Sequence, residues 1–166
     1  MEIKKSMARM NTSEAMELMR RPFMVTLSTE EIVSGALKGI IRAESLLNLG
    51  GQKTPRWGYN IEMALAELAI CKGIERNVHP SGYINFDSGV AIGVNGRLRM
   101  IPVLSGDHDS NMVVKPVVND AIYVHVIVGT PEYTITGWAW GKDFGKDKSI
   151  PQESLRPILE LYRATH

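Results

Sequence analysis

The stretch GYNIEMALAELAICKGI, positions 58–74, is apolar on nearly every side of a helix. Ile61, Ala64, Leu65 and Leu68 form one face, and Met63, Ala66 and Ile70 make the opposite face apolar as well. A helix with no wholly polar face has to be covered on several sides, so it belongs inside a layered domain. Yet it carries Glu62 and Glu67. At 100° per residue these two lie about 140° apart and do not share a face. An unpaired buried carboxylate is costly, or it takes up a proton. Each Glu therefore emerges at an edge, pairs with a base, or lines a site. Arg42 and Lys72 are the candidate bases.

A chain of 166 residues, 44% hydrophobic and 22% charged, has room for one domain with a sizeable core. Its net charge of +1 gives no general attraction to nucleic acid, so DNA binding would need a local basic patch. The one cysteine, Cys71, falls within the apolar helix and reads as a small core residue, which favours a reducing compartment. No apolar run reaches the length of a membrane span, and MEIKKSMARMNTSEAMELMRR has no signal-peptide apolar region. The expectation is a cytoplasmic protein with no membrane partner.

The first half reads helical. NTSEAMELMRR offers caps at Asn11 to Ser13 and a basic end at Arg20 and Arg21. STEEIVSGALKGIIRAESLLNLG opens with a capping box, Ser28 to Glu31, and repeats Ile32, Ala36, Ile40, Ala43 and Leu47 at helical spacing. Gly50 and Gly51 stop it, and a loop, GQKTPRW, leads to the third helix, from about Tyr59 to Lys72. The second half reads as sheet. GVAIGV, LRMIPV and NMVVKP are short β-rich runs. AIYVHVIVG is the clearest strand, with Ile122, Val124, Val126 and Val128 on one face. EYTITGWAW follows the turn at Gly129 to Pro131, which predicts a hairpin. SIPQESLRPILELYR reads as a closing helix capped by Ser154, with Pro157 in its first turn. The expectation is one α+β domain over 1–166. It comprises an N-terminal helical extension at 1–23, helices at 24–74, sheet at 83–140 and a closing helix at 150–164, the helices packing on a mixed or antiparallel sheet.

Several polar residues are candidates for chemistry. Asp87, in NFDSG, is either a turn aspartate bonding its own backbone or a ligand opposite Glu62 or Glu67. Hard cations such as Mg²⁺ take several oxygen ligands, so two carboxylates and water would serve. Asp107, His108 and Asp109 share one loop, SGDHDSN, but neighbouring residues rarely aim at one ion. His125 shares the odd face of its strand with Tyr123 and reads as a sheet histidine rather than a catalytic one. GVNG is neither a P-loop nor a dinucleotide fingerprint, and there is no G-x-S-x-G elbow and no zinc spacing. Trp57, Tyr59, Trp138 and Trp140 are core, rim or stacking residues.

Taken in order, LSTEEIVSGALKGIIR, WGYNIEMALAELAICKGI, NMVVKP with DAIYVHVIVG, YTITGWAWGKD and IPQESLRPILEL resemble a family of small phage-encoded proteins regarded as PD-(D/E)XK-like nucleases. The resemblance covers roughly Met24 to Leu161. Glu62, Glu67, Ala69 and Lys72 match its third helix, and Gly39 and Arg42 match the GxxR of the helix before it. The resemblance implies a restriction-endonuclease-like core. It also implies a site in which a helix Glu, an Asp at a strand start and an acid-x-base unit on the next strand hold a divalent cation and activate water for phosphodiester attack. A basic residue there stabilises charge on the phosphate.

This chain departs from that pattern at the critical strand. In GVNGRLRMIPVLSG, Leu98, Arg99, Met100 and Ile101 stand where the acid-x-base unit belongs, with Arg99 in the ligand's place and Ile101 in the base's. An arginine cannot ligate a cation. Either Asp87 and a remote residue such as Lys115 rebuild the site, or the metal site is lost or altered. The first expectation is a phage protein of nuclease-like fold that binds nucleic acid or a protein without cutting, needing no cofactor. The second is a working Mg²⁺-dependent DNase, with Glu62, Glu67, Asp87 and Lys72 catalytic, Glu62 and Asp87 on the metal, and Arg42, Arg99 and Lys115 on phosphate. The third is an inhibitor of a host defence protein, acting in the host cytoplasm, for which a homo-oligomer is one expected state.

Overall fold

The computed structural model describes residues 12–48, 56–74, 90–92, 98–107, 110–114 and 117–165, by backbone alone at 15, 18, 19, 46–48, 90–92, 98, 99 and 162–165. It is an α+β protein with a mixed sheet. Helix α1 (Thr12–Arg20) leads into strand β1 (Phe23–Thr26), then helices α2 (Thr29–Asn48) and α3 (Trp57–Gly73). Strands β2 (Val90–Ile92), β3 (Leu98–Ser105), β4 (Met112–Val113), β5 (Ala121–Gly129), β6 (Glu132–Trp140) and β7 (Ser149–Ile150) follow, and helix α4 (Ile158–Thr165) closes the described chain.

The main sheet has the order β1-β6-β5-β3-β2, and β4 pairs with β7 in a second, two-stranded sheet. All neighbours in the main sheet are antiparallel except β3 and β5, which run parallel from Arg99↔Ala121 to Ser105↔Ile127. A parallel pair needs a crossover, and here the chain makes it through β4 in the second sheet. The expected hairpin is present: β5 and β6 pair from Ile122↔Trp140 to Gly129↔Glu132 across Thr130–Pro131, a cis peptide.

The all-round apolar helix is covered as its composition requires. Leu65, Ala66, Ala69, Ile70 and Cys71 of α3 pack with Ile122, Val124 and Val126 of β5, Tyr133 and Ile135 of β6, and Ile158 and Leu161 of α4. The other side of α3 lies against α2. The opposite face of the sheet buries Ala121, Tyr123 and Ala139 beneath Met112 of β4 and Ile150 of β7. Among the described residues no helix is long and apolar enough to cross a membrane.

The Ser28–Glu31 capping box forms as expected. The Ser28 N–H donates to Glu31 Oε2 at 2.7 Å, and the Glu31 N–H donates to Ser28 Oγ at 3.2 Å. Asn11, Gly50 and Gly51 lie outside the described residues. Lys72 Nζ adds a second donor to the same Glu31 oxygen at 2.8 Å. Lys72, and then the Ser28 N–H, hold the Glu31 carboxyl below its ordinary 4.5. A depressed carboxylate contributes stability that is present above its unfolded-state value and fades as pH falls through the folded one. Glu31→Gln should therefore lower stability at neutral pH by a few tenths of a kcal/mol, the exposed pair being screened by water. The difference from the native chain should shrink as pH falls below the ordinary carboxylate range and vanish once the folded-state carboxyl is protonated, as read in denaturation curves.

Two expectations about elements need correction. Phe23–Thr26, which spans the end of the helical extension read at 1–23 and the start of the helices read at 24–74, is a strand, paired with β6 from Phe23↔Ile135 to Thr26↔Glu132. Phe23, Val25 and Thr26 are β-formers, but four residues are too few to show a period, and the edge of β6 is what holds them extended. The closing helix does not start at 150 and is not capped by Ser154. Ser149–Ile150 is strand and Gln152–Ser154 a single 3₁₀ turn. Arg156 bridges to Trp138, its N–H donating to the Trp138 carbonyl at 2.8 Å and its carbonyl accepting from the Trp138 N–H at 3.1 Å. That bridge, with the extended bias of a residue before proline, delays α4 until Ile158.

Candidate functional site

The residues singled out on α3 separate in space. Glu67 faces α2, where Arg42 holds it in a two-bonded fork: Nη1 donates to Oε1 at 2.9 Å and Nη2 to Oε2 at 2.8 Å. Both side chains are about nine-tenths buried, at 9% and 10% exposure. The two helices meet closely because α2 turns Gly35 and Gly39 toward α3, and a Cβ on Gly39 would lie 2.5 Å from the Ile61 Cα. The planar guanidinium matches a carboxylate in this geometry as an ammonium cannot. Arg42 Nε is buried and has no hydrogen-bond partner among the described residues.

Lys72 serves a different junction. Its Nζ donates to the Thr26 carbonyl at 2.8 Å and to Glu31 at 2.8 Å, tying the end of α3 to β1 and to the start of α2. Glu62 is partly exposed and acts on β6 instead. Burial pushes the Tyr133 phenol up, and the Glu62 charge adds to that rise. Tyr133 also shares a 2.8 Å hydrogen bond with the Thr130 hydroxyl, which opposes it. Among the described residues no group of three or more His, Cys, Asp or Glu side chains is placed to hold a metal ion. Asp87, His108, Asp109 and Lys115 lie outside the described residues, as does the side chain of Arg99, whose backbone sits in β3 between β2 and β5. Of the aromatic candidates, Trp138 is buried and stacks edge-on against Trp140 at 5.8 Å, while Trp57 and Tyr59 are exposed.

A second polar locus forms on the other side of β6, and spacing in the sequence does not announce it. The β5–β6 ladder shifts between His125 and Val126: Val126 pairs with Ile135 and His125 with Gly137, leaving Thr136 as an extra residue. A bulge of this kind re-aims a side chain. Thr136 Oγ1 lies 2.8 Å from His125 Nδ1, and Gln152 Nε2 lies 2.9 Å from the same nitrogen. Both contacts converge on one ring nitrogen, and the amide nitrogen of Gln152 can only donate, so Nδ1 is its acceptor. His125 is fully buried, and Thr136 and Gln152 form part of the wall of a cavity of about 480 Å³ bordered by α1, β6 and the start of α4. The one sequence signal for this locus is a histidine in an otherwise apolar strand. Its partners come from β6 and the 3₁₀ turn, 11 and 27 residues away.

Comparison with protein-family models, curated proteins and solved structures finds no match to this chain.

Proposed function

We propose that the chain is a small phage-type binding protein on a restriction-endonuclease-like core, with its metal site lost or altered, engaging a protein partner rather than hydrolysing DNA. The Arg42–Glu67 fork carries this reading. A cation ligand must offer its lone pairs to the ion, and both Glu67 oxygens are engaged by one buried guanidinium. Lys72, the basic member of the same motif, is likewise spent on Glu31 and a backbone carbonyl. A protein partner is supported over a nucleic acid by the solvent side of α2. Val33, Leu37, Ile40 and Ile41 recur there at helical spacing and are 40–63% exposed. These four side chains offer neither donor nor positive charge to phosphate.

Incubating the purified chain with plasmid and Mg²⁺ or Mn²⁺ should leave the DNA intact, and retention on DNA should be weak and lost with added salt. Metal-dependent cutting that disappears in Glu62→Ala would overturn the reading. DNA retention that persists at physiological salt would make nucleic acid the partner instead.

A further inference from the structure

We infer that the cavity bordered by α1, β6 and α4 is a binding site for a small zwitterion, an ammonium and a carboxylate on a short apolar body, as in α-amino acids and their short peptides. Its volume of about 480 Å³ falls in the range of small-ligand sites. Three charged side chains line it: Arg20 at the end of α1, Glu153 in the 3₁₀ turn and Glu160 in α4. Arg42–Glu67, Lys72–Glu31 and Arg156–Asp143 pair other side chains, and none of Arg20, Glu153 and Glu160 forms an ion pair with another described residue. One guanidinium suits one carboxylate, and two carboxylates suit the three donors of an ammonium.

The polar wall is held in place from behind. Thr136 is the bulge residue, and its hydroxyl is anchored on the buried His125. Gln152 turns its amide nitrogen to the same ring, which leaves Oε1 to accept from a ligand. A wall whose hydrogen-bonding atoms are oriented before the ligand arrives loses less freedom on binding. Met16 and Leu155 supply apolar surface beside these groups. The site is separate from the Arg42–Glu67 junction and from the solvent face of α2, so it stands or falls independently of the proposed partner binding.

The test is amide chemical-shift titration of the full chain with the twenty α-amino acids and a set of dipeptides, each up to about 10 mM. At least one compound should give saturable shifts at Met16, Thr136 and Gln152, and the comparison of single amino acids with dipeptides assigns the length. Affinity for that compound should fall about tenfold or more in Arg20→Ala and in Glu160→Gln, and equally for its N-acetylated and its amidated forms. No saturable shift at those residues with any compound overturns the inference. So does binding that survives both variants and both blocked forms, and so does binding that needs only the ammonium, which would make the site one for cations.

Discussion

Arg42→Ala should lower the unfolding free energy by about 3–5 kcal/mol, because it strands the Glu67 carboxylate at a buried helix–helix junction with no counter-charge. Glu67→Ala should cost a similar amount by stranding the guanidinium, whose Nε already lacks a partner among the described residues. The fork is 2.8–2.9 Å long at both contacts, and water replaces neither bond at 9–10% exposure. Replacing both partners by apolar side chains of similar length, Arg42→Met with Glu67→Leu, should cost less than either single change, since no charge is then left buried. Denaturant midpoints of the native chain, Arg42→Met, Glu67→Leu and the double variant form the cycle that measures the coupling. Single variants that lose less than about 1 kcal/mol would show an exposed, weak pair and return Glu67 to the list of available ligands.

Gly39→Ala should destabilise by about 3 kcal/mol, at the upper end of what an inserted methyl costs. The new Cβ would lie 2.5 Å from the Ile61 Cα and 2.7 Å from both the Asn60 carbonyl oxygen and the Ile61 nitrogen. These are backbone atoms, so no rotamer change relieves the clash, and α2 and α3 must move apart. That movement would also lengthen the Arg42–Glu67 fork. Gly35→Ala should cost less, because its nearest neighbour is the Leu65 Cδ2 at 2.7 Å, the end of a side chain that can turn. Gly58→Ala meets nothing within 4 Å and should be neutral or gain a few tenths of a kcal/mol from helix propensity. The order Gly39, Gly35, Gly58 in thermal midpoints is the result to check; a Gly39→Ala chain as stable as the native one would mean the helices do not approach as described.

Gly39, Arg42, Glu67 and Lys72 have a structural meaning in the packing of α2, α3 and β1 that residue types alone did not carry. Arg42, Glu67 and Lys72 were legible as a set of one acid and two bases near an apolar helix, because burying a charge demands a partner whatever the fold. Which base meets which acid was not legible. Arg42 reaches Glu67 across 25 residues and Lys72 reaches Glu31 across 41, and those separations are closed only when α2, α3 and β1 pack together. The same limit explains β1. Phe23–Thr26 is too short to declare a period, and the hydrogen bonds that make it a strand belong to β6, more than 100 residues further on.

What could be read along the chain acts within a turn or two of backbone: the capping box at Ser28 and Glu31, the apolar circuit of α3, the alternation and turn that make β5 and β6 a hairpin. Capping and periodicity are interactions between residues three or four apart, or of every second residue with one layer, so they survive in the sequence as spacing. The parallel pairing of β3 with β5, the bulge at Thr136, the delayed start of α4 at its Trp138–Arg156 bridge and the cavity beside His125 have no such trace. Each depends on segments brought together by burying a common core, and the free energy that places them is spread over contacts whose order along the chain carries no period to read.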